Sequence, residues 1–245
     1  MNETVIIVPT YNERENLPRM VEKLLSLPVR VDVLVVDDNS PDGTGKIADE
    51  LAAKHPQIHV LHRTNKEGLG RAYIAGFKWA LAKKYEFVFE MDCDFSHDPK
   101  EIPAFLKAAE KADLVLGSRY SGGVRVVNWP LKRLVLSRSA GIYVWLVTGM
   151  PFSDPTGGYK CFRRRALEFI QLDEVRANGY SFQIEMTNRL WRDGFRVEEV
   201  PITFTDRTAG QSKMAGGIIN EAFWLVWRLW VQNGFRRWPR RKMTV

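Results

Sequence analysis

Apolar runs of strand length alternate with segments of helical periodicity through the N-terminal half of the chain, and this alternation limits the possible folds more than any other feature. Strands are predicted at Val5–Val8, Val31–Val36, Ile58–Leu61 and Phe87–Met91. Between them the sequence follows helical spacing, as in Thr44–Lys54. Repeated strand–helix units of this length predict an α/β fold, with a mostly parallel sheet flanked by helices on both faces.

The glycine patterns that cradle nucleotides in many α/β proteins are missing after the first strand. Neither GxGxxG nor the P-loop pattern follows Val5–Val8. Gly68 and Gly70 open the predicted helix Gly68–Lys83, where they fit either a plain helix-start turn or a weak phosphate cradle. Nucleotide recognition would then depend on side chains and a metal, which favours sugar transfer over hydride transfer or P-loop phosphoryl transfer.

Polar and acidic side chains follow three of the predicted strands at their carboxyl ends. They are Tyr11, Glu13, Asp37, Asp38, Asp92 and Asp94. Ligands bind outside the carboxyl ends of the strands in sheets of this kind, so we expect the three loops to form a single site at one edge. Asn12, in the first loop, is expected to cap the helix that follows it.

Asp92 and Asp94 are separated by one residue at the end of an apolar strand. Alternate residues of an extended chain point the same way, so the two carboxylates would share a face about 7 Å apart, with Cys93 directed to the core. Such oxygens suit Mg²⁺ or Mn²⁺, which proteins often hold through one or two carboxylates and substrate phosphates. By itself the pair equally fits solvated loop acids or a helix start. The neighbouring His97 is expected to be structural.

Composition and charge narrow the class of protein and partner. With 245 residues, 45% of them hydrophobic, the chain can bury a full core as one globular domain with or without an appendage. A net charge of +7 indicates a polyanionic partner: nucleic acid, a nucleotide sugar, a phospholipid surface or a phosphorylated acceptor. Cys93 and Cys161 are the only cysteines, which favours a reduced cytosolic setting. We find no signal-peptide pattern and no apolar run long enough to span a membrane.

Two segments combine tryptophan, basic residues and apolar residues. The first lies at about 129–152 and the second at 214–245, where an apolar helix with Trp224 precedes a basic aromatic tail. This composition is typical of helices that lie in a membrane interface. A core helix or an oligomer contact is the alternative for the second segment. We expect residues 1–213 to form the main domain, including the acceptor-side segment, and 214–245 to be appended to it.

An ordered series of motifs resembles that of the dolichol-phosphate (polyprenyl-phosphate) mannosyltransferases, which are inverting family 2 glycosyltransferases with a GT-A fold. The motifs are Val8-Pro-Thr-Tyr-Asn-Glu13, Val35-Val-Asp-Asp-Asn-Ser-Pro-Asp-Gly-Thr44, Met91-Asp-Cys-Asp-Phe-Ser-His97, Gly117-Ser-Arg-Tyr120, Asp154-Pro-Thr-Gly-Gly-Tyr159 and the stretch 207–213. The resemblance implies a Rossmann-like sheet, a divalent metal and two substrates. The chain is similar to the short, peripheral members, which lack C-terminal spanning helices.

The resemblance also implies roles for particular residues. GDP-mannose would be bound by Pro9, Tyr11, Glu13, Val36, Asp38, Asp92, Cys93, Asp94, Ser96, Arg207 and Lys213. The phosphate of the lipid acceptor would be bound by Arg119, Arg133 and Ser137. Asp92 and Asp94 would hold the metal and, with Arg119, form the catalytic group. Arg207 and Lys213 also suit a loop that offsets charge on the departing diphosphate, and a solvated surface loop is the alternative.

Together these features favour an enzyme that transfers mannose from GDP-mannose to a dolichyl or polyprenyl phosphate, with Mg²⁺ or Mn²⁺, giving a β-linked lipid phosphomannose. We expect it to be cytoplasmic and peripheral on the cytosolic face of the membrane. Transfer of glucose or another sugar to the same kind of lipid is the nearest alternative. A nucleic-acid-binding protein is disfavoured because the acidic loops would repel phosphates and no nucleic-acid motif is present. The oligomeric state is not predicted.

Overall fold

The computed structural model of the protein describes residues 2–206 and 216–239. Seven strands form one sheet in the order β3-β2-β1-β4-β7-β5-β8, and a short parallel pair, β6 and β9, lies apart from it. The strands are β1 Thr4–Thr10, β2 Asp32–Asp37, β3 Ile58–His62, β4 Phe87–Glu90, β5 Leu114–Ser118, β6 Val126–Val127, β7 Lys160–Arg163, β8 Val197–Pro201 and β9 Phe204–Thr205.

The helices connect the strands in sequence order and confirm the predicted α/β class. They are α1 Asn16–Leu25, α2 Thr44–Lys54, α3 Leu69–Ala82, α4 Ile102–Ala109, α5 Leu131–Thr148, α6 Arg164–Phe169, α7 Gly179–Arg192 and α8 Gly216–Gln232. Single-turn 3₁₀ helices lie at Pro99–Glu101 and Leu172–Glu174. No helix among the described residues is long and apolar enough to cross a membrane.

The strands β1, β2, β3 and β4 pair in parallel, as alternation of strand and helix requires. Every residue of β2 is buried, which is the pattern of a strand covered on both faces. One strand departs from this arrangement. β7 lies antiparallel between β4 and β5, and β5 then pairs in parallel with β8. The sheet is therefore mostly parallel with one reversed strand near its middle.

Helices cover both faces of the sheet and close two apolar cores. On one face Phe77 of α3 and Phe182 of α7 pack with the sheet. On the other face Met20 of α1 and Phe105 of α4 pack with it. Both cores are fully buried, so the sheet is held rigidly, and the loops at its carboxyl edge have a fixed base.

A third, smaller core joins α5, α7 and α8 beside the sheet. Val144, Ile184, Val226 and Leu229 are buried there. One side of the described part of α8 thus packs against α5 and α7, as the core alternative for this helix required, while its other side faces outward. The predicted domain boundary near residue 213 lies outside the described residues.

Two local predictions were wrong. Asn12 does not cap α1, because the helix begins at Asn16 and no side chain caps it; Asn12 instead has a left-handed backbone (φ 61°), and its N–H donates to Ser40 Oγ. The fourth strand ends at Glu90, one residue before the predicted end at Met91, and Asp92 and Asp94 lie in a bent loop and not on the extended chain expected for the pair.

Candidate active site

A cavity of about 450 Å³ opens at the carboxyl edge of the sheet, where the loops after β1, β2 and β4 meet. It brings together most of the residues predicted to bind the donor. Those lining it are Pro9, Tyr11, Glu13, Asp38, Asp92, Cys93, Asp94 and Ser96. The prediction of one site at one edge of the sheet is therefore confirmed in geometry, although the role of each residue stays a prediction.

Val36 differs from the other predicted donor residues. Its side chain is fully buried in the core formed with α3, and the residue does not line the cavity. Arg207 and Lys213 lie outside the described residues, so their predicted contacts with the diphosphate stay predictions.

The loop that carries Asp92 and Asp94 turns both residues toward the cavity while its middle residue faces inward. Cys93 is packed in the core, and burial raises the pKa of its thiol. Asp94 Oδ1 accepts a hydrogen bond from the backbone N–H of Ser96 at 3.1 Å, which fixes a tight local turn. The bend therefore brings both carboxylates to the cavity, while Cys93 borders the cavity but is packed in the core, as predicted.

These two carboxylates fit a divalent cation that takes the rest of its ligands from a substrate. Within the described part of the chain no group of three or more histidine, cysteine and acidic side chains is placed to hold a metal. A closed all-protein site is thus not present there. Asp92 and Asp94 instead line an open cavity of nucleotide size, and Mg²⁺ is usually bound in this way, by one or two carboxylates with phosphates and water.

Two buried rings contact Asp92. The hydroxyl of Tyr73 donates to Asp92 Oδ1 at 3.3 Å, and His97 Nδ1 accepts the backbone N–H of Asp92 at 3.1 Å. Burial, reinforced by Asp92 and Glu90, holds the pKa of Tyr73 well above its usual value, so the hydroxyl keeps its proton. Burial lowers the pKa of His97 to about 4, so the imidazole is neutral and its Nδ1 is an acceptor.

The cavity is also lined by an aromatic ring and charged groups, those of Tyr11, Lys66 and Asp38. The ammonium of Lys66 lies 3.7 Å from the ring centroid of Tyr11. Asp38 is paired with Arg63, and burial raises the pKa of its carboxyl despite that partner. A ring beside a cation and a carboxylate can stack on a nucleobase and accept hydrogen bonds from a base or ribose.

Arg119 is held in a buried, bidentate ion pair. Its Nε and Nη2 each donate to Asp154 at 2.6 Å, its backbone N–H donates to the same carboxylate at 3.0 Å, and Nη2 also donates to Thr156. Burial opposes the charge on Asp154, but the attraction of Arg119 outweighs it and lowers the pKa of that carboxyl. Asp154 likewise raises the pKa of Arg119 against its burial. Arg119 is therefore a fixed cation in the wall of the cavity.

A second cavity, of about 280 Å³, lies between α5, α7 and α8 and is largely apolar. It shares Arg119, Arg133, Thr156 and Tyr180 with the first cavity. Beyond these residues its walls are mostly carbon, from side chains including Leu136, Ala140, Val144, Ile184 and Val226. The two cavities thus meet at a pair of arginines.

The residues predicted to bind the acceptor phosphate all line the apolar cavity. Arg133 pairs with Asp206 at 2.8 Å and stacks over the ring of Trp129 at 4.1 Å. Ser137 Oγ accepts a hydrogen bond from the hydroxyl of Tyr120 at 2.7 Å. Ser137 lines only the apolar cavity, whereas Arg119 and Arg133 line both.

Large apolar side chains on α5 and α8 face outward beside this cavity. Those on α5 are exposed at Leu131, Val135, Leu136, Ile142, Trp145 and Leu146. Those on and after α8 are exposed at Phe223, Trp224, Trp227, Val231, Phe235 and Trp238. The two helices are joined by Tyr143, whose ring stacks on Phe223 and whose hydroxyl donates to the Phe223 carbonyl at 3.0 Å. The exposed apolar side chains therefore lie on two helices that contact each other.

Several residues of the site escaped sequence reasoning. Lys66 lies in the loop between β3 and α3, where it looks like any surface lysine, and Tyr73 lies on α3, where it looks like any core aromatic. Asp154 stood in a quoted motif, but its role as the partner of Arg119 depends on a contact across the fold. The signal that could have found Asp154 was its motif, residues 154–159, which combines an acidic residue with small residues and has neither helical nor strand periodicity.

A mostly parallel sheet with one reversed strand and an acidic cavity at its carboxyl edge is the arrangement expected of a GT-A glycosyltransferase. Residues 5–170 match the family described as "Glycosyl transferase family 2". The chain therefore belongs to glycosyltransferase family 2, and the protein is a glycosyltransferase.

Two curated relatives are similar over nearly the whole chain. An undecaprenyl-phosphate mannosyltransferase of Micrococcus luteus is 50% identical over 216 residues, covering 88% of this chain and 89% of the relative. A polyprenol monophosphomannose synthase of Mycolicibacterium smegmatis is 52% identical over 225 residues, covering 91% of this chain and 85% of the relative. The resemblance stated from the motifs is thereby confirmed.

Solved structures confirm the fold at low sequence identity. A glucosyl-3-phosphoglycerate synthase from Mycobacterium tuberculosis, in complex with Mn²⁺, uridine diphosphate and phosphoglyceric acid, has a TM-score of 0.68 at 16% identity and covers 95% of this chain and 79% of its own. A mannosyltransferase from Pyrobaculum calidifontis, in complex with GDP-mannose and Mn²⁺, has a TM-score of 0.58 at 17% identity. The match covers 95% of this chain and 74% of the mannosyltransferase chain.

Proposed function

We propose that this enzyme transfers mannose from GDP-mannose to a polyprenyl or dolichyl phosphate and inverts the configuration at the anomeric carbon. One observation carries the proposal. A polar, acidic cavity meets an apolar cavity at Arg119 and Arg133. The polar cavity suits a nucleotide sugar, and the apolar cavity suits the chain of a lipid phosphate. Their reacting groups would meet where the two cavities join. The names of the two curated relatives support both the sugar and the acceptor.

On the donor side, Tyr11 and Asp38 would bind the nucleoside, and Asp92 and Asp94, which line the same cavity, would face the diphosphate. A divalent cation bound by these two carboxylates would neutralise the diphosphate and stabilise charge on the leaving group. The choice of Mg²⁺ or Mn²⁺ is left to experiment. Binding of Mn²⁺ with a nucleotide or nucleotide sugar by both structural neighbours supports such a cation.

The chemistry follows from the charge of the acceptor. A phosphate monoester is already anionic near neutral pH, so its oxygen needs no strong base to become a nucleophile. An electron pair of that oxygen forms the new bond to the anomeric carbon, while the bond from that carbon to the diphosphate oxygen breaks and GDP leaves. Attack opposite to the leaving group converts an α-linked donor into a β-linked lipid phosphomannose.

The arginines would bind the acceptor phosphate. Arg119 is orientated by Asp154 and so would present the N–H groups of Nη1 without reorganisation. Arg133 is paired with the partly exposed Asp206, which the phosphate would have to replace. Beyond them the apolar cavity would take the first isoprene units, because its walls offer carbon contacts and few polar groups.

The outward surface of α5 and α8 would lie in the membrane interface on the cytosolic side. Exposed tryptophans beside arginine and lysine are typical of such helices, and anionic headgroups add about 1 kcal/mol for each basic residue near them. This orientation would place the mouth of the apolar cavity at the lipid. Trp224→Ala combined with Trp227→Ala is expected to weaken sedimentation with neutral vesicles while leaving GDP binding unchanged; binding equal to that of the parent would contradict the orientation.

Calorimetry can separate the two substrate sites. Asp38→Ala should weaken GDP binding, whereas Arg133→Ala should raise the KM for a short polyprenyl phosphate and leave GDP binding nearly intact. Asp94→Asn, which removes charge and a ligand without changing volume, should remove most transfer activity. An equal loss of GDP affinity in Asp38→Ala and Arg133→Ala would contradict the assignment of donor and acceptor sides.

A further inference from the structure

Asp92 is contacted from two directions by residues that are not among those predicted to bind the donor. Tyr73 reaches its side chain from α3, with the hydroxyl 3.3 Å from Oδ1. His97 reaches its backbone from the same loop, with Nδ1 3.1 Å from the Asp92 nitrogen. Tyr73 is fully buried and His97 is 2% exposed, so solvent does not compete for either contact.

Both rings are fixed by other aromatic side chains. Tyr73 stacks on Phe182 with ring centroids 6.1 Å apart, and on Phe77 at 6.2 Å. The ring of His97 stacks on Tyr159, with centroids 4.9 Å apart, and packs edge-on against Phe204. Close packing of this kind leaves each ring one orientation, so the groups that contact Asp92 are held rigidly.

The second carboxylate of the pair is supported differently. Asp94 accepts a hydrogen bond from Ser96 in its own turn, a contact that the loop makes without help from the sheet or helices. Asp92, by contrast, is tied to α3 through Tyr73. The position of Asp92 relative to the core is therefore fixed by a contact with α3 as well as by its own loop.

We propose that Tyr73 and His97 are positioning residues that hold Asp92 ready to bind the cation and diphosphate of the donor. The inference rests on the proposed metal site. Outer-shell groups that orient a ligand commonly change metal affinity by about 10- to 100-fold when they are removed. The hydroxyl of Tyr73 fixes the carboxylate, and Nδ1 of His97 fixes the backbone from which that carboxylate projects.

Tyr73→Phe tests the first contact because it removes one oxygen and leaves the ring packing intact. We expect it to weaken the binding of Mn²⁺ in the presence of GDP by about tenfold, measured from free Mn²⁺ by electron paramagnetic resonance. The metal concentration that gives half-maximal transfer should rise, while kcat at saturating Mn²⁺ changes less.

Tyr85→Phe is the matched control. Tyr85 is also fully buried, and its hydroxyl donates to a carboxylate, that of Asp32, at 2.6 Å. Asp32 is the first residue of β2 and so lies at the opposite edge of the sheet from the cavity. Tyr85→Phe should lower the free energy of unfolding without changing Mn²⁺ binding.

A pair of substitutions tests the second contact. His97→Asn keeps an acceptor, Oδ1, near the place of Nδ1, whereas His97→Gln moves its acceptor farther along the side chain. We expect His97→Asn to keep more of the Mn²⁺ affinity than His97→Gln, in proteins that melt at similar temperatures. Equal affinity in the two variants would overturn the role of His97.

Asp92→Asn provides the reference that separates this inference from the proposed function. If Asp92→Asn loses Mn²⁺ binding and Tyr73→Phe retains the affinity of the parent, the positioning role of Tyr73 is wrong and the metal site stands. If Asp92→Asn also binds Mn²⁺ as the parent does, the metal site itself is wrong, and the positioning role is overturned with it.

Discussion

The substitution Asp154→Asn should destabilise the enzyme because it removes the only negative charge that the structure pairs with Arg119 at hydrogen-bond distance among the described residues. Two side-chain donors and one backbone donor of Arg119 converge on that carboxylate. Asparagine has nearly the same volume, so no cavity forms. Its amide nitrogen, however, would face a guanidinium donor.

The size of the effect follows from burial. The side chains of Arg119 and Asp154 are 6% and 1% exposed. Removing one partner of a buried pair typically costs about 3–5 kcal/mol, because the other charge stays buried without compensation. Since a whole domain is stable by about 5–15 kcal/mol, the variant should fold with a visibly lower denaturation midpoint. Loss of orientation at Arg119 should also lower the rate of transfer.

Urea unfolding followed by tryptophan fluorescence measures the difference in unfolding free energy between the parent and Asp154→Asn. An unchanged dependence of that free energy on urea concentration, the m value, would show that only stability has changed. Asp206→Asn is the control, since it breaks the ion pair with Arg133, whose partners are 20% and 27% exposed. That change should cost at most about 1 kcal/mol. Equally small losses in the two variants would refute the account of Arg119 as a cation fixed by a buried partner.

Three further predictions concern the acceptor side and pH. Asp206→Asn should lower the KM for a short polyprenyl phosphate by up to about fivefold, the equivalent of the ~1 kcal/mol of a partly exposed pair, because Arg133 no longer has to exchange partners; an unchanged KM would contradict it. Ala140→Phe should fill the apolar cavity and lower kcat/KM for the lipid with GDP affinity unchanged, and equal use of the lipid would contradict the placement of the chain. The pKa of His97 is depressed to about 4 from 6.5, so its contribution to stability is present above pH 6.5 and is lost as pH falls. Relative to His97→Asn, the unfolding free energy of the parent should fall by about 1.5 kcal/mol between pH 6.5 and 5, measured in urea; parallel curves would contradict the neutral, buried imidazole.

Much of the sheet was predictable because its first four strands are short apolar runs followed by amphipathic helices. Local pattern alone determines such units. The reversed strand β7 was not predictable in the same way, since its four residues include the fully buried Lys160 and have no clear alternation. Its place between β4 and β5 depends on pairing partners distant in sequence.

The site could be predicted where it is built from strand ends and not where it is built from contacts across the fold. Tyr11, Asp38, Asp92 and Asp94 follow strands directly, and the parallel sheet brings them together. Tyr73 comes from the middle of a helix, where its ring looks like any core aromatic. The bend after Glu90 was also hidden, because an apolar run does not reveal where hydrogen bonding to the neighbouring strand stops.

Product formation by the purified protein tests the central claim most directly. The protein is incubated with Mn²⁺, a short polyprenyl phosphate and either labelled GDP-mannose or labelled UDP-glucose, beside the Asp94→Asn variant. The account predicts label in the lipid fraction from GDP-mannose, with mannose joined through a β-linked phosphate and little product from Asp94→Asn. Label from UDP-glucose alone, an α linkage, or equal product from Asp94→Asn would contradict it.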